Sequence, residues 1–523
     1  MSTNRKIAKA SVLLMGISVL GNLLSMGKEM LSAKYFGISV SMDAFNAALT
    51  IPNYVSGITM SIFTLIFIPV FVQYKQSSDP EEANRMASVL INYIFSGLAL
   101  LAAVVFFSAG LIVQYSFVGF DAPTAALTVK LIRILCFSFV LSSIITILSS
   151  ILNSYEHFFW PSASQIFITI STIGFIVFFS KTLGVSVFAW GLILGLIFQL
   201  IALIISSRNT AFKYRFDFNL RRPGISKTAK GAVAILMLAL IGNLNPIINR
   251  AMASWLPQGS ITALSYAEKL LLIPSTFIMA SLLTAIFPFF SMQAADNKLD
   301  EMKYTLASSI KMSGFIYIPL SLTMMVFSKP TIMLLFQRGA FTAAATDLTS
   351  ILLIILSAQL CFSYITAIMM RVVIVFQDMK TIVGLVLFNT GINVALNLLF
   401  IRIMEPPIAG IALSSTLGTF ISLPLYYYIL KKRMVFLHGL SILKSLSFFS
   451  LLALAPVFLM KVVHGWINTF FVYSAVSQFF IIAVSCLAGF AVYLGLAYYY
   501  KVEEAHKLYD ITANKIKAIF KTA

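Results

Sequence analysis

The sequence predicts an all-α integral membrane protein of about fourteen transmembrane helices: two six-helix lobes related by an internal repeat, followed by two further helices. Three observations predict it. Apolar runs long enough to cross the ~30 Å hydrocarbon layer recur along the whole chain. Basic residues crowd alternate loops between those runs. One pattern occurs twice: Gly21-Asn22-Leu23, Asp43-Ala44-Phe45, Ile51-Pro52 and Phe67-Ile68-Pro69 return as Gly242-Asn243-Leu244, Ser265-Tyr266-Ala267, Ile273-Pro274 and Ile286-Phe287-Pro288.

The runs lie at roughly 9–27, 43–73, 88–115, 126–152, 158–180, 185–207, 229–254, 266–292, 306–336, 345–375, 381–402, 407–430, 444–464 and 470–500. With 59% hydrophobic and 11% charged residues over 523 positions and a mean hydropathy of +0.94, the apolar surface exceeds what one core can bury. The solvent is therefore lipid. The first run passes Gly27-Lys28-Glu29 into the second without an A-x-A cleavage site, so it reads as a retained helix and not a signal peptide.

Position explains the net charge of +19. Arg5, Lys6 and Lys9 precede span one, and Lys75 and Arg85 follow span two. Arg208, Lys213, Arg215, Arg221, Arg222, Lys227 and Lys230 fill the loop after span six. Lys298 and Lys303, Lys380, Lys431 to Arg433 with Lys444, and Lys501 onward continue the alternation, whereas Lys181, Arg338 and Arg402 stand alone in the intervening loops. By the positive-inside rule both termini and the central basic loop are expected in the cytoplasm. No compact basic domain with interleaved aromatics occurs, so a nucleic-acid partner is not expected.

Residues 1–210 form the first lobe, 211–230 a basic cytoplasmic linker, 231–433 the second lobe, 434–500 the two added helices and 501–523 a cytoplasmic amphipathic tail. A further match supports the duplication: Gly119-Phe120 with Thr124-Ala125-Ala126 resembles Gly339 with Phe341-Thr342-Ala343-Ala344. Cys136, Cys361 and Cys486 lie inside spans, and His157, His438, His464 and His506 are scattered, so neither set has the spacing of a metal or disulfide framework. No P-loop, H-E-x-x-H or G-x-S-x-G is present. The expectation is a transporter that is not an enzyme, holds no cofactor and couples to the membrane potential or a cation gradient.

Several motifs carry a family resemblance. Lys34-Tyr35-Phe36-Gly37, Met42-Asp43-Ala44-Phe45, Ile51-Pro52-Asn53 and Phe67-Ile68-Pro69-Val70-Phe71 resemble the opening signature of the MurJ (MviN) flippases of the multidrug/oligosaccharidyl-lipid/polysaccharide exporter superfamily. Ile151-Leu152-Asn153, Ser265-Tyr266-Ala267-Glu268-Lys269, Leu335-Phe336-Gln337-Arg338-Gly339-Ala340-Phe341-Thr342, Gln377-Asp378-Met379-Lys380-Thr381 and Asn393 through Asn397-Leu398-Leu399 continue it in order. The resemblance implies two six-helix bundles plus two helices, and outward movement of undecaprenyl-pyrophosphate-linked sugars such as lipid II across a bacterial cytoplasmic membrane. The chain departs from the family at usual arginines: Ser18 on span one, Lys28-Glu29 for an Arg-Asp pair, Tyr54-Val55-Ser56-Gly57 for a Leu-Leu-Arg-Arg run, and Lys269 after Tyr-Ala-Glu. Lysine meets phosphate as a point charge without arginine's planar fork, so a related lipid-linked glycan stays open as the cargo.

The same residues stand out on physical grounds. Lys28 and Lys269 each adjoin an acid, Glu29 and Glu268, and ionisable groups in hydrocarbon are costly unless they face a cavity or a partner. They are the candidate pyrophosphate ligands; the alternative is that each lysine pairs with its neighbour near a span end. Arg250, close to the repeat equivalent of Lys28, extends the cationic set, or else snorkels beside Trp255. Asn22, Ser56 and Asp43 complete the candidate substrate set, although Asp43 opens span two, where a helix cap is the simpler role. Lys34 reads as an interface anchor, and Lys130 with Arg133 as a snorkelling pair. Asn389, Asn393 and Asn397 form a polar stripe, with Asn389 and Asn393 as weak Na⁺ ligands and interhelical hydrogen bonding as the better account.

Phe448, Phe449, Phe470, Phe471, Phe479 and Phe480 on the last two spans suggest either plain packing or a lateral groove for a polyprenyl tail. The expected partners are a polyprenyl-pyrophosphate-linked saccharide and membrane lipids, with the chain acting as a monomer. Competing functions are an exopolysaccharide or O-antigen repeat-unit flippase, a cation-coupled multidrug antiporter, and an envelope scaffold. The antiporter requires a buried carboxylate well inside the first lobe, where Glu29 and Asp43 lie near span ends. A scaffold has no use for matched polar positions in both lobes.

Overall fold

The computed structural model describes residues 3–63, 67–76, 80–208, 210–219, 236, 239–240, 242, 244–434, 439–470, 474–507 and 509. Arg221, Arg222, Lys227, Lys230, Asn243, His438, Phe471 and the tail beyond Tyr509 lie outside them. Every regular element among the described residues is a helix, as expected where only intrasegment hydrogen bonds can satisfy the backbone in hydrocarbon. In order they are α1 (Thr3–Phe36), α2 (Val40–Ile62), α3 (Ile68–Gln76), α4 (Pro80–Ser116), α5 (Ala122–Ser154), α6 (Phe159–Ala163), α7 (Ile166–Leu183), α8 (Ser186–Ser207) and α9 (Leu244–Ala253). There follow α10 (Ser260–Ala295), α11 (Leu299–Val326), α12 (Ser328–Phe336), α13 (Ala343–Val375), α14 (Met379–Ile403), α15 (Pro407–Met434), α16 (Gly439–Asn468) and α17 (Ala475–Tyr499). Each of the fourteen expected runs contains helix, and 10 helices among the described residues are long and apolar enough to cross a membrane.

Among the described residues two runs are broken: 158–180 holds α6 and α7, and 306–336 holds α11 and α12. Pro330 accounts for the last, because it has no N–H for the carbonyl of Val326 and its ring crowds that carbonyl, so the helix stops at Val326 and restarts at Ser328. Helix starts follow their capping residues. Ser39 opens α2 by accepting the Met42 N–H at 3.4 Å, Asp121 opens α5 by accepting from Thr124 at 3.3 Å, and Asp378 opens α14 by accepting from Thr381 at 3.1 Å. The Thr381 hydroxyl and N–H, with Arg433 beyond them, hold the Asp378 carboxyl below its ordinary range.

By internal contacts the chain forms two units, Met1–Thr262 with Arg338–Thr342, and Ala263–Gln337 with Ala343–Ala523. In the first, α5 is the hub and packs on α2, α4 and α8, burying Leu135, Cys136 and Phe139 against Met42, Ala48 and Phe188. In the second, α13 packs on α11 and α15, α16 packs on α11, and α17 packs on α16. Phe449 is core there, its ring 5.5 Å from that of Phe315, and the Tyr493 hydroxyl donates to the Phe315 carbonyl at 3.0 Å. Phe470 and Phe480 instead line an apolar groove of about 900 Å³ where α16 and α17 meet.

Candidate functional site

On α1, Lys28 Nζ lies 2.9 Å from Glu29 Oε1, with the two side chains 27% and 10% exposed. Consecutive helix residues diverge by about 100°, so the pair forms only because the lysine stem curls toward the acid. For Lys28 the neighbouring-pair alternative is therefore realised, with the lysine side chain still partly exposed. Asn22, seven residues before Glu29, lies on the same face of the helix, is exposed, and donates to the Ser18 carbonyl at 2.9 Å. Arg250, on α9, is half-buried in the same unit, as is Ser56 on α2. The Tyr54 hydroxyl, at another departure from the family run, donates to the Leu240 carbonyl at 2.7 Å.

Glu268 and Lys269 belong to the second unit, where both are half-buried on α10. The ammonium of Lys269 stands 5.4 Å from the ring centroid of Tyr266, and Tyr266 is fixed by burial against Phe336 at 4.8 Å. This cation–π contact orients the ammonium over the ring.

Asp43 does not cap its own helix; Ser39 occupies that post. The Asp43 carboxylate instead accepts the N–H of Gly259 at 2.5 Å, the N–H of Thr262 at 2.7 Å and the Thr262 hydroxyl at 2.6 Å. It therefore caps the start of α10, more than two hundred residues away, and is only 4% exposed. Asn46, one turn along α2, donates to the same Thr262 hydroxyl at 3.4 Å. Both residues act in holding chain segments together.

The same end of the first unit carries a seam between loops of the two repeats. The Ala340 N–H donates to the Lys34 carbonyl at 2.9 Å. Gly37, at φ +55°, leaves room for the Ala340 carbonyl, which a Cβ there would meet at 2.3 Å, and Gly339, at φ +58°, does the same for the Lys34 carbonyl. Gly119 abuts the Ser254 carbonyl in the same crosswise manner, whereas Gly259 abuts Ile38 in the corresponding loop. Loops from both repeats thus meet within the first unit. Gly37→Ala and Gly339→Ala should each lower stability by about 2 kcal/mol, since a left-handed conformation costs ~1–2 kcal/mol before any clash. Thermal unfolding in detergent checks this, with Gly97→Ala, where a Cβ meets nothing within 4 Å, expected to leave the midpoint unchanged or raised.

Lys34 is more than an interface anchor. With Arg338, Gly27, Met30 and Leu31 it lines a groove of about 580 Å³ beside the seam. Sequence reasoning passed over Arg338 as an isolated loop charge and Thr262 altogether; the signal for both lay in their position beside repeated glycines. The asparagine stripe joins helices: Asn389 donates to Ser422 Oγ at 2.9 Å, Asn393 to Ser415 Oγ at 3.3 Å, and Asn397 to Asn393 Oδ1 at 3.2 Å. The first two bonds tie α14 to α15, the interhelical role expected of the stripe, and the third stays within α14. Among the described residues no group of three His, Cys, Asp or Glu is placed to hold a metal.

Comparison with known proteins adds the following. A family model described as lipid II flippase MurJ matches residues 32–485. A probable lipid II flippase MurJ of Buchnera aphidicola subsp. Acyrthosiphon pisum is 28% identical over 417 residues, 78% of this chain and 80% of that one. The lipid II flippase MurJ of Burkholderia cenocepacia is 24% identical over 437 residues, 82% of this chain and 84% of that one. Among solved structures, a lipid II flippase MurJ in an inward closed conformation aligns with a TM-score of 0.76 at 24% identity, over 94% of this chain and 99% of that one. An inward-facing multidrug resistance MATE family transporter of the MOP superfamily aligns with a TM-score of 0.67 at 12% identity, over 81% and 98%. These structural likenesses are likenesses of fold.

Proposed function

We propose, from the premise that this chain belongs to the lipid II flippase MurJ family, that it carries lipid II from the inner to the outer leaflet of a bacterial cytoplasmic membrane. Membership favours this over a drug antiporter or a repeat-unit flippase. The structural observation that supports it most directly is the seam. A carrier that exposes its cargo to one leaflet at a time needs a closure at one end made from both repeats, and here Asp43, Gly37 and Gly339 join the loops of both. Closure by a handful of hydrogen bonds is reversible, each contributing about 1 kcal/mol net.

In this reading Lys28 and Lys269 receive the pyrophosphate, Arg250, Asn22 and Ser56 lie along the headgroup path, and the apolar groove between α16 and α17 takes the polyprenyl tail. The cargo enters from the cytoplasmic leaflet, the seam parts, and the headgroup leaves outward while the tail stays in lipid. The emptied carrier returns its cations inward with the membrane potential, which supplies about 2.3 kcal/mol per charge per 100 mV. One chain suffices, and both termini and the basic segment 211–230 face the cytoplasm.

This orientation makes a simple prediction. A cysteine at Gln258, exposed beside the seam, should react with an impermeant maleimide on intact cells. One at Lys213, exposed in the basic segment, should react only after permeabilisation. The reverse pattern would invert the proposed topology and with it the direction of transport.

A further inference from the structure

Two cations sit on the exposed surface of the first unit. Lys130 and Arg133 are exposed on α5, and among the described residues neither forms an ion pair. Arg133 Nε donates to the Phe106 carbonyl at 3.3 Å, and its guanidinium lies 5.4 Å from the Phe106 ring centroid. That anchors one nitrogen and leaves the two terminal amino groups of the fork for another acceptor. The surrounding surface is apolar and open, with Phe107 81%, Phe137 53% and Trp190 45% exposed.

Depth makes the unpaired charge informative. α5 has 33 residues, about 50 Å of helix at 1.5 Å per residue, against ~30 Å of hydrocarbon. A centred helix therefore leaves about 10 Å outside at each end, which puts Lys130, about 12 Å from its start, at the boundary and Arg133 about 7 Å inside. Trp190, about 6 Å into α8 from the same side of the bundle, lines the same groove as both cations and marks the interfacial level. The repeat equivalents on α13 fall among Leu348 to Leu353, which are uncharged. The helical lobe itself therefore does not require cations here.

The geometry points to a site for an anionic glycerophospholipid: its phosphodiester bridged between the Lys130 ammonium and the free fork of Arg133, with one acyl chain in the roughly 510 Å³ groove over Phe106, Phe137 and Trp190. A phosphodiester carries one negative charge, which two cations at the interface more than compensate. A zwitterionic headgroup brings its own ammonium toward them and is disfavoured. The acyl chain covers aromatic surface at the depth where α5 meets lipid, and the headgroup supplies the counter-charge that no described residue provides. In the proposed orientation the site faces the outer leaflet.

Native mass spectrometry of the full chain, titrated with phosphatidylglycerol or phosphatidylcholine, tests this. The unaltered protein should retain one phosphatidylglycerol at a concentration about thirtyfold lower than phosphatidylcholine, the factor expected of two near-surface cations. The K130Q/R133Q pair should lose that preference, whereas K130R/R133K and the cytoplasmic control K213Q should keep it. A photoreactive phosphatidylglycerol on the unaltered protein should label peptides within 122–137 and 186–193. Equal retention of both lipids, an undiminished preference in K130Q/R133Q, competition by a polyprenyl phosphate alone, or labelling confined to other helices would each overturn the site.

Discussion

Lys28→Ala and Lys269→Ala should each cut the appearance of labelled lipid II in the outer leaflet of proteoliposomes by about a hundredfold, because removing one partner of a desolvated charge contact costs ~2–5 kcal/mol. The two variants reach that result by different routes. At Lys269 the ammonium is held over Tyr266, so truncation removes that charge and leaves an aromatic ring that stays packed on Phe336. Folding should survive. At Lys28, truncation removes the ammonium 2.9 Å from the carboxylate of Glu29, which is 8% exposed, so loss of transport and loss of stability are mixed. Lys28→Ala with Glu29→Gln separates them: the double variant should regain the thermal midpoint of the unaltered protein and still fail to transport. Lys28→Arg and Lys269→Arg keep the charge and should recover a substantial part of the rate. Normal transport by both alanine variants would mean that these lysines serve only the fold.

The helices and their duplication were legible because lipid imposes a one-dimensional rule. A run must be apolar and about twenty residues long, whatever it packs against. Breaks within runs were legible only in part: Pro330 signals the stop before α12, whereas nothing local distinguishes α6 from α7. Asp43 shows a different limit. Its place four residues after Ser39 suits a cap, and two candidates compete for one helix start; Ser39, in extended backbone conformation, takes it and leaves Asp43 to the start of α10. Periodicity cannot report that choice, since the partner N–H groups belong to Gly259 and Thr262. The seam was hidden for the same reason. The repeat reveals that Gly37 corresponds to Gly259 and Gly119 to Gly339, yet the contacts run crosswise, from Gly37 to Ala340 and from Gly119 to Ser254. Correspondence is encoded in sequence; crossing is a property of packing. The paired neighbours Lys28 and Glu29 were foreseen as one of two alternatives.

Locking the seam should stop transport reversibly. Ile38 and Gly259 are the positions to use, because an ideal Cβ on Gly259 lies 3.7 Å from Ile38 Cβ, inside the ~3.5–4.5 Å range that a disulfide requires. The substitution also removes the Ile38 methyl group that such a Cβ meets at 2.3 Å. Some cost remains, since Gly259 has φ +91° and a side chain there is strained by about 1–2 kcal/mol, so Gly259→Cys alone serves as the control for strain. In a background with Cys136, Cys361 and Cys486 changed to alanine, the oxidised I38C/G259C pair should flip lipid II at less than about a tenth of its reduced rate, and reductant should restore it. The logic is independent of headgroup chemistry. A seam joined by a covalent bond cannot part, whereas one joined by the Asp43 hydrogen bonds can, at a cost of only a few kcal/mol. Asp43→Asn supplies the opposite perturbation: the amide keeps one acceptor oxygen but turns donor groups toward the N–H of Gly259 or Thr262, weakening the closed end without sealing it. Its expected signature is faster labelling of a cysteine buried under the seam, such as one at Ala44, together with slower flipping. Efficient crosslinking with an unchanged transport rate would show that the cargo leaves by a route that does not pass this seam.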